Sequence, residues 1–291
     1  MTNIAHWIKE THIAIKASDI LYDNKEYSSS FRSFQKAIEN INKAFAIFID
    51  KYTLKQLKSK IGHEPLKYYD EKIQGSYNNF LIINVLGEKY PQIKENEIFK
   101  QMSPGEEYLK TLEVGKKEFE AFLESGVDFS YKDLKDVVAR LQYLEKYKIE
   151  GEINETELID RLQEVSNFFR LIGEDKLTQE INKFENSLMN PEQRKIFYEI
   201  LKYSMDIIPD FIFIFYTFFY CAMITHGHYF KSGYPDDNTT PSDIYTKKHP
   251  IVKIQPYLTE MLEEAVFRLE KLIVKTEIIP LSQNTLQSAN E

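Results

Sequence analysis

Apolar residues recur along most of this chain at intervals of three and four, the spacing that gathers them on one face of a helix. Trp7, Ile8, Ile15 and Ile20–Leu21 mark a first helix ending near Asp23-Asn24. Ser28–Ser30 then offer an N-cap. Phe31, Phe34, Ile38, Ile41, Phe45 and Phe48 form a stripe that predicts a second helix to about Tyr52. Lys55–His63 reads as a polar connection ending in Gly62, and Leu66–Gln74 as a short helix after Pro65. Phe80–Leu86 is an apolar run whose type periodicity does not settle.

Start and stop signals divide the middle of the chain into further helices. Ser103-Pro104-Gly105-Glu106 opens one that runs to about Glu124, before Gly126. Ser130 with Asp133 starts the next, carrying Leu134, Val137, Val138, Leu141 and Leu144. Asn154 with Glu157 resembles a capping box, and Gly173 stops the helix that follows. Leu177, Ile181, Phe184 and Leu188 form another stripe, and Asn190-Pro191 starts a helix reaching toward Met205. Phe211–Thr225 follows as a separate apolar helix, capped by Pro209-Asp210 and by His226-Gly227-His228. Gly233–Asp243 is a loop. Thr240-Pro241 then leads to a last helix with Leu258, Met261, Leu262, Ala265, Leu269 and Leu272 on one face. No segment alternates as a strand would, so the predicted class is all-α.

Composition narrows the functional classes. The chain has 291 residues, a net charge of −8 and 28% charged residues. That acidity disfavours general binding to nucleic acid or anionic membranes, which rely on basic surface. A single cysteine, Cys221, excludes an intramolecular disulfide and a Cys-based zinc cage. Its apolar neighbours make it an inert buried thiol. Phe211–Thr225 has no charge over 15 residues, short of the roughly 20 that span a bilayer, and reads as a completely buried helix. The expectation is a cytoplasmic protein without a membrane span.

On helix two, Arg32, Gln35, Glu39 and Lys43 lie three, four and four apart, along one ridge opposite the phenylalanines, with Asn40 beside it. The plain reading is a solvated face carrying an Arg–Glu–Lys ladder. The sharper one is a ridge that grips an anion or a partner helix.

The stretch Tyr27–Tyr68 resembles the first half of a HEPN domain (higher eukaryotes and prokaryotes nucleotide-binding), of archaeal type. The resemblance rests on Arg32, Gln35, Glu39, Asn40 and Lys43, then the His63-Glu64-Pro65 turn, with Trp7-Ile8-Lys9 suiting the opening helix. Tyr229–Tyr245 is similar to the family's late loop, with Tyr234-Pro235-Asp236, Pro241 and Tyr245 in order. Lys231-Ser232-Gly233 stands where relatives often place an Arg before the Tyr. The resemblance implies an antiparallel helical bundle split by an all-helical insertion. Residues 1–75 and 206–279 would form its halves, 76–205 the insertion, and 280–291 a disordered tail. The implied ligand-binding residues are Arg32, Gln35, Glu39, Asn40, Lys43, His63, Tyr234 and Asp236. The ligand would be a nucleotide, RNA or a partner protein, in a homodimer, in a toxin–antitoxin or defence setting.

Many HEPN proteins are ribonucleases whose signature is an Arg and a His separated by four to six residues, so that the Arg stands five to seven before the His, a cation beside a proton shuttle. Before His63 those positions hold Lys58, Leu57 and Gln56, and none of the corresponding residues before His226, His228 or His249 is Arg. The motif is absent, so the reading leans to a non-catalytic binder. The alternatives are a divergent ribonuclease using His63 with Lys58 or Arg32, and a helical protein-interaction scaffold. His226-Gly227-His228 with Asp236 and Asp237 invites a metal, but the intervening glycine suits helix termination better. No phosphate loop or nucleophile elbow occurs, and no cofactor is implied.

Overall fold

The structure, a computed structural model, describes residues 2–103, 106–149, 151, 154–229, 231–235 and 239–278. Among these residues twelve α-helices follow one another: α1 Thr2–Asp23, α2 Tyr27–Asp50, α3 Leu54–Gln56, α4 Leu66–Lys89, α5 Glu97–Met102, α6 Glu106–Ser125, α7 Tyr131–Lys146, α8 Glu155–Arg170, α9 Asp175–Met189, α10 Pro191–His226, α11 Pro241–Ile244 and α12 Pro250–Ile278. No strand occurs among the described residues, and the all-α class holds. The tail 280–291 and Asp236 lie outside the described residues.

The helices form two units. Unit 1 comprises Met1–Tyr69, Leu123–Tyr147 and Ile207–Glu291; unit 2 comprises Asp70–Phe122 and Lys148–Asp206. The expected insertion 76–205 therefore differs from the observed division, because Leu123–Tyr147, with α7, belongs to unit 1.

Unit 1 is organised around α2. Its predicted stripe is sequestered except at its end: Phe31, Phe34, Ile38, Ile41 and Phe45 are at most 1% exposed, while Phe48 is half-buried. Against it pack α1, joined by the turn Asn24–Glu26 with Lys25 in the left-handed region (φ 67°), and α12. All six residues of the predicted α12 stripe are buried. A polar pin ties the three helices together. Ser30 Oγ donates to the Ser18 carbonyl (2.7 Å), and Gln255 Nε2 reaches Ser30 Oγ (2.6 Å) and Ser18 Oγ (3.0 Å). Pro256 lies inside α12 and has no N–H for the carbonyl of Val252, four residues back. The Tyr22 hydroxyl of α1 donates to that carbonyl instead (3.1 Å).

Unit 2 has a smaller core. Ile93, Phe99 and Phe168 are buried together, with Ile83, Leu86, Tyr90, Ile98, Phe169 and Ile172 packed around them. Gly87 of α4 is needed for that packing, since a Cβ there would sit 2.5 Å from Phe99 Cζ. The Ser130–Asp133 capping box forms as expected, and Asn154 caps α8 by accepting from the Thr156 and Glu157 amides.

Four predicted boundaries need correction. The N-cap expected at Ser28–Ser30 is not used: α2 already begins at Tyr27, after Glu26, so those serines lie inside its first turn. Leu66–Gln74 extends into α4 through Lys89 and absorbs the undecided run Phe80–Leu86. The polar connection Lys55–His63 is ordered as α3 plus a π-turn, Leu57–Ile61, because Leu57 and Ile61 are buried anchors. The helices placed either side of Pro209 are one 36-residue helix, α10, with Pro209 inside it rather than capping it. A proline loses one backbone bond, and a flanking apolar face that packs on its neighbours outweighs that loss. The stretch Phe211–Thr225 is also not completely buried: Phe213, Ile214 and Phe218 face inward, while Tyr216 is 40% exposed. By length and composition α10 is long and apolar enough to cross a bilayer, with 39% of its most apolar window buried.

Candidate functional site

The ridge on α2 is not a solvated face. Gln35, Glu39, Asn40 and Lys43 are all buried, at 7% exposure or less. An amphipathic pattern shows which side of a helix is apolar; it does not show that a second layer of chain covers the polar side.

That second layer is the end of α10 and the loop after it. Gln35 holds it in place: its Nε2 donates to the Thr225 carbonyl (3.3 Å), and its Oε1 accepts from the Ser232 hydroxyl. A close backbone approach fixes the same corner. A Cβ on Gly126, whose φ is +64°, would lie 3.0 Å from Gly227 Cα, and His226 Nε2 lies 2.9 Å from the Leu123 carbonyl. The Arg32 guanidinium then reaches the loop, donating to the Gly233 carbonyl (3.3 Å) with its Cζ 5.9 Å from the Tyr234 ring centre.

Between ridge and loop lies a cavity of about 520 Å³, open to solvent. Arg32, Gln35, Lys36, Glu39, His63, Tyr229 and Tyr234 contribute to its walls. Five of the nominated residues thus meet at one cavity, from three separated segments of chain. Lys43 and Asn40 do not line it. Lys43 is buried beside it, bonded to Glu39 with its Nζ 4.9 Å from the Trp7 ring centre. Asn40 is 1% exposed, and its Oδ1 has no hydrogen-bond partner. Lys36 and Tyr229 line the cavity without belonging to the residues that the resemblance implies. Lys36 follows Arg32 by four and precedes Glu39 by three, the spacing of one helix face, which is the signal that could have found it.

Glu39 is the electrostatic centre of the wall. Its Oε1 meets Lys43, Lys36 Nζ at 3.3 Å and His63 Nδ1 at 3.0 Å. Burial alone would raise its carboxyl pKa. The hydrogen bond and charge of Lys43, with Lys36 and His63, outweigh burial and hold it below the ordinary range. Glu39 is therefore an anion, paired with the two cations Lys36 and Lys43. The cavity wall itself carries two cations, Arg32 and Lys36, against the one anion Glu39, in a chain whose net charge is −8. His63 keeps a 67% exposed side chain, its ring stacked on Tyr229 at 6.1 Å between centres, and Glu39 on Nδ1 leaves Nε2 for a ligand. Burial raises the Tyr229 phenol pKa, with Glu39 adding to the effect.

The second histidine pair serves the frame. His228 is buried, its Nδ1 2.9 Å from the Tyr245 hydroxyl, and Tyr245 stacks on Phe31 at 5.0 Å. Burial lowers the His228 pKa to about 4, against the attraction of Asp128. His226 and His228 thus engage different protein groups, and among the described residues no cluster of His, Cys, Asp and Glu is arranged to hold a metal ion. Asp236 and Asp237 lie outside those residues. Cys221 is buried, and burial pushes its thiol up to about 12.

Comparison of the chain with protein-family models, with curated proteins and with solved structures finds no match.

Proposed function

We propose that unit 1 is a HEPN-like binding module that takes a phosphate-bearing nucleotide in the cavity between α2 and the loop Tyr229–Tyr234. The observation that carries this reading is the convergence of Arg32, Gln35, Glu39, His63 and Tyr234 on one cavity. Arg32 and Lys36 supply cations for phosphate, and Tyr229 and Tyr234 supply aromatic faces for a base. Glu39 aims the His63 ring and neutralises buried Lys43, so its part is positioning. The test is titration of the full chain with adenosine and guanosine mono- and triphosphates by calorimetry. Arg32→Ala weakens binding at least tenfold with unchanged helical circular dichroism, as loss of a charge-assisted bond of about 1.5–3 kcal/mol requires. Equal affinity for both proteins would refute the assignment.

One observation favours a second reading. A carboxylate bonded to Nδ1 of a histidine whose other nitrogen is open, beside an arginine, is a pairing suited to proton transfer at a phosphodiester. This revives a divergent ribonuclease built on His63 and Arg32. It predicts cleavage of RNA that His63→Ala fails to perform; absence of cleavage by both proteins across metals and RNAs removes it.

A further inference from the structure

Unit 2 holds a cavity of its own, of about 310 Å³, between α8, α9 and the start of α10. Helix α8 divides its residues between two sides. Phe168 belongs to the core around Phe99, while Ile159, Leu162, Ser166 and Arg170, three and four apart, line the cavity. Two ion pairs stand at the ends of this helix. At its first residue, Glu155 Oε1 lies 2.8 Å from Arg194 Nε of α10. At its last, Arg170 clamps both carboxylate oxygens of Glu185 of α9, and it donates also to Asn167 Oδ1 (3.2 Å) and Asn182 Oδ1 (3.0 Å). The bond from Arg170 holds the Glu185 carboxyl below the ordinary range, and the Ser166 hydroxyl, 4% exposed, adds to the effect.

These bonds decide which polar groups are left to meet a ligand. Glu185 is spent on Arg170 and Ser166, and both Nη groups of Arg170 are spent on Glu185 and the two asparagines. Asn167, its Oδ1 held by Arg170, presents the donors of its Nδ2. Arg194 meets Glu155 through Nε, and its Nη groups form no ion pair among the described residues. Gln163 can offer either end of its amide. Beside these donors lie Ile159 and Leu162 of α8 with Leu188 and Met189 of α9. The cavity combines apolar walls with an unspent guanidinium edge and holds no fixed acceptor.

We infer that this cavity binds a small amphiphilic carboxylate, an acyl acid of about eight carbons. The carboxylate pairs with the Nη edge of Arg194, and the chain lies over Ile159, Leu162, Leu188 and Met189. Size sets the chain length. Liquid water at about 30 Å³ per molecule would fill the cavity with about ten molecules, so a ligand of about ten non-hydrogen atoms fits it. A bare anion would leave the apolar walls wet, and an amine would face guanidinium charge without an acceptor. The site lies wholly in unit 2 and does not depend on the reading of the cavity in unit 1.

The probe is octanoate, titrated into the full chain by calorimetry, with acetate, 1-octanol and octylamine as comparators. Octanoate is expected to bind at least tenfold more tightly than any of the three, and less tightly as salt rises. Arg194 and Met189 have side chains exposed enough to change without disturbing the core, and unchanged helical circular dichroism shows that the variants fold. Arg194→Gln is expected to weaken octanoate at least tenfold, about the worth of a charge-assisted bond, and to leave 1-octanol unchanged. Met189→Glu, which sets a like charge beside the chain, weakens octanoate too. Spectra of methyl-labelled methionine locate the ligand: the Met189 signal shifts at saturation, and that of Met261 in α12 does not. Equal affinity for 1-octanol or octylamine overturns the carboxylate assignment, and equal affinity for acetate overturns the apolar one. Octanoate binding untouched by Arg194→Gln, or a Met189 signal that stays in place, overturns the site. Failure to saturate at millimolar octanoate overturns the inference as a whole.

Discussion

Unit 1 buries Phe31, Phe34, Phe45, Phe213 and Phe218 to 1% exposure or less, whereas unit 2 leaves Ile82, Val85, Val114, Met189 and Ile196 between 53% and 69% exposed. The elements are alike, amphipathic helices with polar caps. The depth of burial is not. Unit 1 has a central helix covered on both its apolar and its polar side. Unit 2 relies on a few buried rings around Phe99 and Phe168 and on surface pairs such as Lys117–Glu113 and Lys183–Glu180, which are exposed and screened. The candidate site lies in the deeper unit for a physical reason. A buried carboxylate held by buried Lys43 needs surroundings that do not relax, and only a densely packed frame supplies them.

Breaking that frame should have the largest effect. Phe34→Ala, at a position 0% exposed, is expected to destabilise unit 1 by about 3–5 kcal/mol in urea unfolding. Native-state hydrogen exchange should already show amides of α8 and α9 opening more readily than those of α2. Equal protection in the two units would remove the contrast. Next comes Glu39→Gln, which leaves Lys43 buried without its anion. The expected cost is about 3 kcal/mol, and Lys43→Met on the same background should recover much of it, which a thermal-melt double-mutant cycle measures.

Acid probes the same unit. Burial lowers the folded pKa of His228 to about 4 and lowers that of His249 as well, so the unfolded chain binds protons first as pH falls. Stability is then full above pH 6.5 and declines toward pH 4, by about 3 kcal/mol for His228. His228→Gln should flatten that limb of the stability–pH curve; an unchanged slope would show that the ring is not held neutral. Below the ordinary carboxylate range a further loss follows, as Glu39, whose folded pKa is depressed, becomes protonated. The smallest effect belongs to unit 2. Gly87→Ala pushes a methyl against Phe99 and is expected to cost about 1–3 kcal/mol. It should speed proteolysis within unit 2 and leave ligand affinity in unit 1 unchanged.

Much of the fold is legible in the residues. The stripes of α2 and α12, the Ser130–Asp133 box and the stop at Gly173 all appear where spacing and turn chemistry put them. Pro209 misleads because a proline weighs heavily in a local reading, while the packing that carries α10 through it is tertiary. The connection 54–61 misleads because its lysines look like loop and its two anchors, Leu57 and Ile61, are too few to make a period. Arg32, Gln35, Glu39, His63 and Tyr234, proposed from the sequence as ligand-binding, line one cavity. Lys43 and Asn40 share their helix face but sit beyond the cavity, because nothing in a helical ridge says where the covering loop ends.

The tyrosine that serves Pro256 bears on how the bundle finds its register. A proline in mid-helix is ordinarily a defect, one carbonyl left without its donor. Here the orphan is the Val252 oxygen, and the donor is delivered by another helix through the Tyr22 hydroxyl. The defect thereby becomes an address. Shifting the proline by one position would turn the open carbonyl about 100° around the helix, out of line with Tyr22. One ring in α12 thus tells α1 where along that helix to stop sliding, information that apolar packing, which tolerates neighbouring registers, does not carry.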